Sequence, residues 1–247
     1  MRGYSNPSIY KNEDIERAVV KVCDSIDTER NQLTNWSKYS ETQLWVELVS
    51  CILGSRVRYE TAKGCTKHLH EHGLIEIPNI LNNSHENEFR IAKELSKAIF
   101  PPITKGKGSR YRYPKSKAKY IVTTCIEIYH NSPTTIKKIL NNSTNEEQAR
   151  EILVKKCQGI GVKQASLFLR NISYGQNLAI IDSHVMDYMI LMNLNRHDIK
   201  RYSMTKKQYL TNEKILVSYA ESLNRNLSSL DIAIWVVMRV LKKEVVS

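Results

Sequence analysis

Residues 157–189 read CQGIGVKQASLFLRNISYGQNLAIIDSHVMDYM, and the rest of the chain is organised around them. A short glycine turn, Gly159-Ile160-Gly161, lies between two helical patterns, and Lys163 falls in the first turn of the second. Nineteen residues later, after the apolar run Leu178-Ala179-Ile180-Ile181, comes Asp182, just before a further helical pattern.

A helix, a G-x-G turn and a second helix make a helix-hairpin-helix. Its glycines permit positive φ and let the backbone come close to a phosphate. The amide N–H groups of Gly159, Gly161 and Val162 are expected to point outward, where the aligned peptide dipoles of the following helix favour an anion. Contacts of this kind read the sugar-phosphate backbone and not the base sequence. The plainer reading is a turn between two core helices.

Lys163 sits where the helix dipole opposes an added positive charge. That placement, with partial burial, is expected to lower its pKa and raise its free-amine fraction. A neutral amine can attack a sugar C1′ and form a Schiff base. Asp182 has two compatible readings. It is a standard N-cap for residues 183–193, and its carboxylate could stabilise positive charge developing on a ribose during base loss. His184 is either a donor to a phosphate or an ordinary half-buried histidine.

Outward from this stretch the periodicity is helical nearly everywhere. Apolar residues at helical spacing predict helices over 13–26, 42–53, 59–71, 87–99, 116–130, 133–140, 145–156, 163–172, 183–193, 205–224 and 228–242. No segment alternates with period two over strand length, so the fold class is all-α. The loop from Pro101 to Lys119 carries Lys105, Lys107, Arg110, Arg112, Lys115, Lys117 and Lys119 with no acid, and interleaves Tyr111 and Tyr113. Basic groups beside aromatic rings suit phosphates and exposed bases, so Arg110, Arg112 and Lys115 are candidate DNA contacts. The alternative is a solvated surface loop.

Among the 247 residues, 37 Lys and Arg outweigh 25 Asp and Glu, a net charge of +12 that favours a polyanionic partner, most commonly nucleic acid. The five cysteines, Cys23, Cys51, Cys65, Cys125 and Cys157, include no C-x-x-C pair. This predicts neither a disulfide frame nor a zinc or iron–sulfur site, and fits a reducing cytosol. The first residues lack an apolar signal core, and no apolar run reaches membrane-spanning length, which predicts a cytoplasmic protein without membrane contact.

The hairpin Gly159-Ile160-Gly161-Val162-Lys163, the apolar run and Asp182-Ser183-His184 resemble the helix-hairpin-helix Gly/Pro–Asp superfamily of base-excision DNA glycosylases. The Lys-to-Asp spacing and the wording GIGVKQASLFLRN…LAIIDSHVMDYM are most similar to its archaeal-type 8-oxoguanine DNA glycosylase/AP lyase branch. Echoes continue in Glu47–Leu53, in RYRYPKSKAKYIV and in Leu230–Trp235.

The resemblance implies two helical lobes with a DNA-binding cleft between them. One lobe spans 38–175 and ends in the hairpin; the other joins 1–37 to 176–247. Lys163 and Asp182 are then catalytic, and the target nucleotide is flipped from the duplex. The partner is double-stranded DNA bearing a damaged or modified base, the protein acts as a monomer, and no metal or cofactor is expected. Arg56, in the turn Gly54-Ser55-Arg56-Val57, matches the position whose side chain fills the gap left by the flipped base, where Gln or Asn is usual. Trp235, with Asp231 one turn earlier, matches the base pocket.

Two departures touch the rim of that pocket: Ser183 stands where the branch commonly has Arg, and the chain continues as LKKEVVS where branch members tend to finish. These leave open a glycosylase for a different modified base, alkylated or foreign. A third class, a non-catalytic helix-hairpin-helix DNA-binding module, would have no reason to keep Lys163 and Asp182 at this spacing.

Overall fold

The computed structural model describes residues 11–30, 35–97, 111–194 and 204–242. Among them every regular element is helical and no strand occurs. The chain divides into two compact units, Thr34–Gly175 in one and Met1–Leu33 with Gln176–Ser247 in the other.

The first unit is built on α2 (Glu41–Gly54), which packs against α3 (Tyr59–Glu71), α6 (Pro114–Ile126), α7 (Ile136–Asn142) and α9 (Val162–Asn171). Ser40 starts α2 with a capping box: its hydroxyl accepts from Gln43 N at 3.1 Å, while the Gln43 side chain accepts from Ser40 N at 2.7 Å. Beyond that first turn α2 is apolar almost all round, which makes it a buried helix with neighbours on several sides. Leu44, Trp45, Leu48, Val49, Ile52 and Leu53 are fully buried. The Trp45 indole donates to the Ile75 carbonyl at 2.7 Å, so its one polar atom is satisfied. Glu41 also caps α7, accepting from Ile136 N at 2.6 Å and Lys137 N at 3.1 Å.

A 3-10 turn, Trp36–Lys38, precedes α2, and four further elements belong to this unit. α5 (Ser84–Ser96) packs along α6, α8 (Glu146–Lys156) leads into the hairpin, and a π-helical turn, Glu127–Asn131, follows α6. The fourth, α4 (Ile77–Asn82), has no counterpart among the helices expected from periodicity. It buries only Ile80, too little for a period to register, although Pro78 in its first turn is a legible start signal.

The second unit centres on α12 (Leu227–Leu241), flanked by α1 (Asn12–Arg30), α10 (Ser183–Leu191) and α11 (Lys206–Ser222). Helices α1 and α12 pack together, and Ile15, Val19 and Cys23 of the first and Leu230, Ala233 and Ile234 of the second are buried. Polar ties reinforce the packing. Ser229 donates to Asp27, and Tyr219 donates to Glu16 at 2.6 Å while sharing a 2.8 Å hydrogen bond with Tyr188. No helix among the described residues is long and apolar enough to cross a membrane. All five cysteines are buried and free.

Candidate functional site

In the first unit Gly159, Gly161, Val162 and Lys163 stand together at the N-terminus of α9. Gly159 adopts φ +74, and a Cβ there would lie 2.3 Å from Cδ2 of Tyr120. Gly159 is therefore required twice over, by backbone conformation and by space. Gly161 departs from the expectation of positive φ. It is the N-cap of α9 in extended backbone, φ −102 and ψ −175, and a Cβ would meet nothing within 4 Å. Its use is the open approach it leaves in front of the helix.

The first intrahelical bond there is Ala165 N to Gly161 O at 3.0 Å. The N–H groups of Val162, Lys163 and Gln164 thus lack intrahelical acceptors, and no side chain caps the helix. An outward-facing row of donors at the positive end of a dipole can hold a phosphate. Lys163, second residue of α9, is half-buried, and its amine has no hydrogen-bond or ion-pair partner among the described residues of its unit. Next to it Gln164 turns inward, 4 % exposed, and donates to Cys51 O of α2 at 2.8 Å. Asn171 ties the other end of α9 to Glu47 of α2 at 2.7 Å.

Arg56 is exposed in the turn after α2 and takes φ +63, a left-handed conformation unusual for a long side chain. Arg112 and Lys115 are exposed, with the Arg112 guanidinium 5.2 Å from the Tyr113 ring centre. Arg110 lies outside the described residues. Two members of the basic, aromatic segment do not belong to a surface loop. Helix α6 begins at Pro114, and Lys117 within it is 4 % exposed, donating its amine to Ile52 O. Tyr111 is 3 % exposed and donates to Leu53 O at 2.6 Å. Their pull comes from the bare carbonyls at the end of α2, which sequence periodicity does not reveal.

In the second unit Asp182 is the N-cap of α10, its Oδ1 accepting from His184 N at 2.8 Å and Val185 N at 3.0 Å. The apolar run before it is held by a cradle of side chains from α11 and α12. Ala179 N donates to Glu213 at 3.0 Å, Ile180 N to Asp231 at 2.7 Å, and Ile181 N to the Tyr209 hydroxyl at 3.2 Å. The same hydroxyl donates to Ala179 O at 2.7 Å. Three consecutive backbone donors of a non-regular segment are thus satisfied by buried groups, which fixes the backbone that delivers Asp182. Asp231, expected at the base pocket, is 2 % exposed and committed to this cradle.

Glu213 and Tyr209 were not among the expected site residues. They share the apolar face of α11 with Leu216 and Ala220, and an acid in that phase is the legible signal of a buried polar task. His184 is buried, with its ring edge-on to Trp235 at 6.3 Å. Trp235 is half-buried and carries the Arg239 guanidinium 4.7 Å from its ring centre, so it is not a core tryptophan. Lys242 pairs with the buried Asp187. Burial pushes the Asp187 carboxyl above its ordinary pKa, while the Lys242 amine pulls it back.

The family model described as 8-oxoguanine DNA glycosylase matches residues 26–225. The 8-oxoguanine DNA glycosylase/AP lyase of Methanocaldococcus jannaschii is 30% identical over 227 residues, 92% of this chain and 94% of the relative. The crystal structure of M. jannaschii 8-oxoguanine DNA glycosylase superposes with a TM-score of 0.68 at 26% identity, covering 94% of this chain and 95% of that one. A second M. jannaschii structure, of the glycosylase/lyase in complex with 15mer DNA containing 8-oxoguanine, gives a TM-score of 0.62 at 26% identity over 90% and 88%. On a family match that spans most of its length, this chain belongs to the 8-oxoguanine DNA glycosylase family.

Proposed function

We infer that the chain is a base-excision DNA glycosylase with AP-lyase activity that removes 8-oxoguanine from duplex DNA. The observation that carries this is the near full-length relationship to a protein named 8-oxoguanine DNA glycosylase/AP lyase. The geometry of α9 agrees with it. Amides at the helix N-terminus hold a phosphate of the damaged strand, and the Lys163 amine stands beside them without a competing partner in its unit.

In this reading the target nucleotide is flipped out and the Lys163 amine attacks C1′. The glycosidic C–N bond breaks, and the base departs and takes up a proton. Asp182 stabilises positive charge on the sugar, its Oδ1 spent on the α10 cap and its Oδ2 left for the task. Ring opening gives the iminium. Loss of a C2′ proton then expels the 3′ phosphate and nicks the strand. Arg56 fills the gap in the duplex, Trp235 packs against the base, and Arg112 and Lys115 meet backbone phosphates. The protein works as a monomer in the cytoplasm, on the nucleoid.

Borohydride reduction on an 8-oxoguanine duplex tests this. Wild type is expected to give a covalent protein–DNA adduct, and Lys163→Gln to give none. An adduct that survives the substitution removes Lys163 from its role. A second reading, another modified base, is favoured by Ser183 at the pocket rim and by the engagement of Lys242 with Asp187. A panel of modified duplexes separates the two: release of a different base with 8-oxoguanine untouched selects the second.

A further inference from the structure

The C-terminal end of α2 is closed by side chains from distant parts of the chain. A helix leaves its last four carbonyls without intrahelical partners. Here Cys51 O accepts from Gln164 at 2.8 Å, Ile52 O from Lys117, and Leu53 O from Tyr111 at 2.6 Å. Gly54 O takes the backbone N–H of Val57 at 3.4 Å. Each carbonyl thus has its own donor, and the three side chains are all nine-tenths or more buried.

This is an expensive way to end a helix. A glycine in the left-handed conformation, or water, would satisfy the same carbonyls without burying a lysine. The cationic amine does suit the negative end of the helix dipole. Gly54 belongs to the same arrangement, since a Cβ there would lie 3.3 Å from the Gln164 amide nitrogen.

What the capped end delivers is Arg56. It is exposed, it follows two residues after the last helical position, and it holds φ +63 without being glycine. A left-handed non-glycine residue is strained and persists only where its surroundings over-determine it. A turn hung from a loosely solvated helix end could relax. One hung from four occupied carbonyls cannot.

We propose that Gln164, Lys117 and Tyr111 are positioning residues that lock the turn Gly54–Val57, hold Arg56 at its place in the duplex, and tie that turn to the helix carrying Lys163. Gln164 is the physical link, adjacent in sequence to Lys163 and bonded to the helix whose following turn carries Arg56. The intercalating side chain and the nucleophile then move as one piece, so inserting the former sets the depth of the latter. This inference rests on the glycosylase reading above.

A double-mutant cycle tests it, scored by single-turnover base release from an 8-oxoguanine duplex at saturating protein. Arg56→Gly and Lys117→Met are each expected to slow release about tenfold or more. In the Arg56→Gly background, Lys117→Met should add less than about twofold, because its effect runs through Arg56. Tyr111→Phe, which removes only the hydroxyl, enters the same cycle and keeps the test alive if Lys117→Met does not fold. Independent, multiplicative losses overturn the proposal, as does an Arg56→Gly protein with the wild-type rate. A wild type inert on every duplex sinks the glycosylase reading first; an active wild type with multiplicative variants sinks this inference alone.

Discussion

Gly159 and Tyr120 are in contact so close that a single methyl on the glycine would fall 2.3 Å from the tyrosine ring. The glycine also sits at φ +74. Gly159→Ala is therefore expected to destabilise the protein by about 2–4 kcal/mol, from left-handed strain and overpacking together. Adding Tyr120→Ala should relieve the overpacking share and leave the strain. Gly161→Ala is the contrasting case, with extended backbone and open space. It should change stability by less than about 0.5 kcal/mol and weaken duplex binding, since the added methyl stands where a phosphate would approach. Denaturant titration and duplex-binding isotherms on the two variants decide this. Equal stability losses at the two glycines would contradict it.

Asp182 carries a cap and a proposed chemical role on one carboxylate, and the two can be separated. Asn is as good an N-cap as Asp, so Asp182→Asn should keep α10 intact and the melting curve nearly unchanged, while base release falls steeply. Asp182→Ala loses both and should cost about 1 kcal/mol of stability as well. If Asp182→Asn released base at the wild-type rate, the carboxylate would be a cap and nothing more.

The helices were legible because their apolar faces repeat at helical spacing, and the hairpin because two glycines flank one residue before a lysine. Length was what defeated the pattern at Ile77–Asn82, six residues with one buried side chain. In the basic segment the burial of Tyr111 and Lys117 is hidden from the sequence for a different reason. Charge composition treats Lys117 like Lys115, yet one is buried at the end of α2 and the other faces solvent. The difference lies in three carbonyls of a helix more than sixty residues earlier, information that no local window contains. Glu213, Tyr209 and Asp231 belong to the same class. Their partners are backbone donors of the irregular run 179–181. Only tertiary structure tells which polar residues on an apolar helix face have such a task.

Asp231 offers a direct test of that cradle. Replacing it with Leu fills similar space and leaves the Ile180 N–H buried without an acceptor, a loss of about 1–3 kcal/mol. Asp231→Asn keeps an acceptor and should cost less. Hydrogen exchange at the Ile180 amide reads the bond itself. Protection should persist in the Asn variant and collapse in the Leu variant; protection kept in both would show that the carboxylate is not what holds this backbone.

Lys117 supplies a pH dependence whose sign can be worked out. Burial lowers its amine from the ordinary 10.5 to about 8, and the nearby Arg56 guanidinium acts in the same direction. A base with a depressed folded-state pKa taxes the folded protein wherever the unfolded chain is protonated. Below about pH 8 both states hold the proton and the cost is present in full. Between about 8 and 10.5 the folded state sheds its proton first, so the unfolded state binds more protons and stability rises with pH. At 1.36 kcal/mol per pH unit the window is worth about 3 kcal/mol. Other lysines and tyrosines titrate over the same range, so the comparison must be with Lys117→Met, in which they are common to both proteins and cancel. Guanidinium unfolding of the pair at pH 7, 8, 9 and 10 should show the stability of wild type relative to Lys117→Met climbing by most of that amount. A difference independent of pH would mean that the amine is not desolvated at the end of α2. The helix end that presents Arg56 would then be closed by water, and the rigidity argued for that turn would have no source.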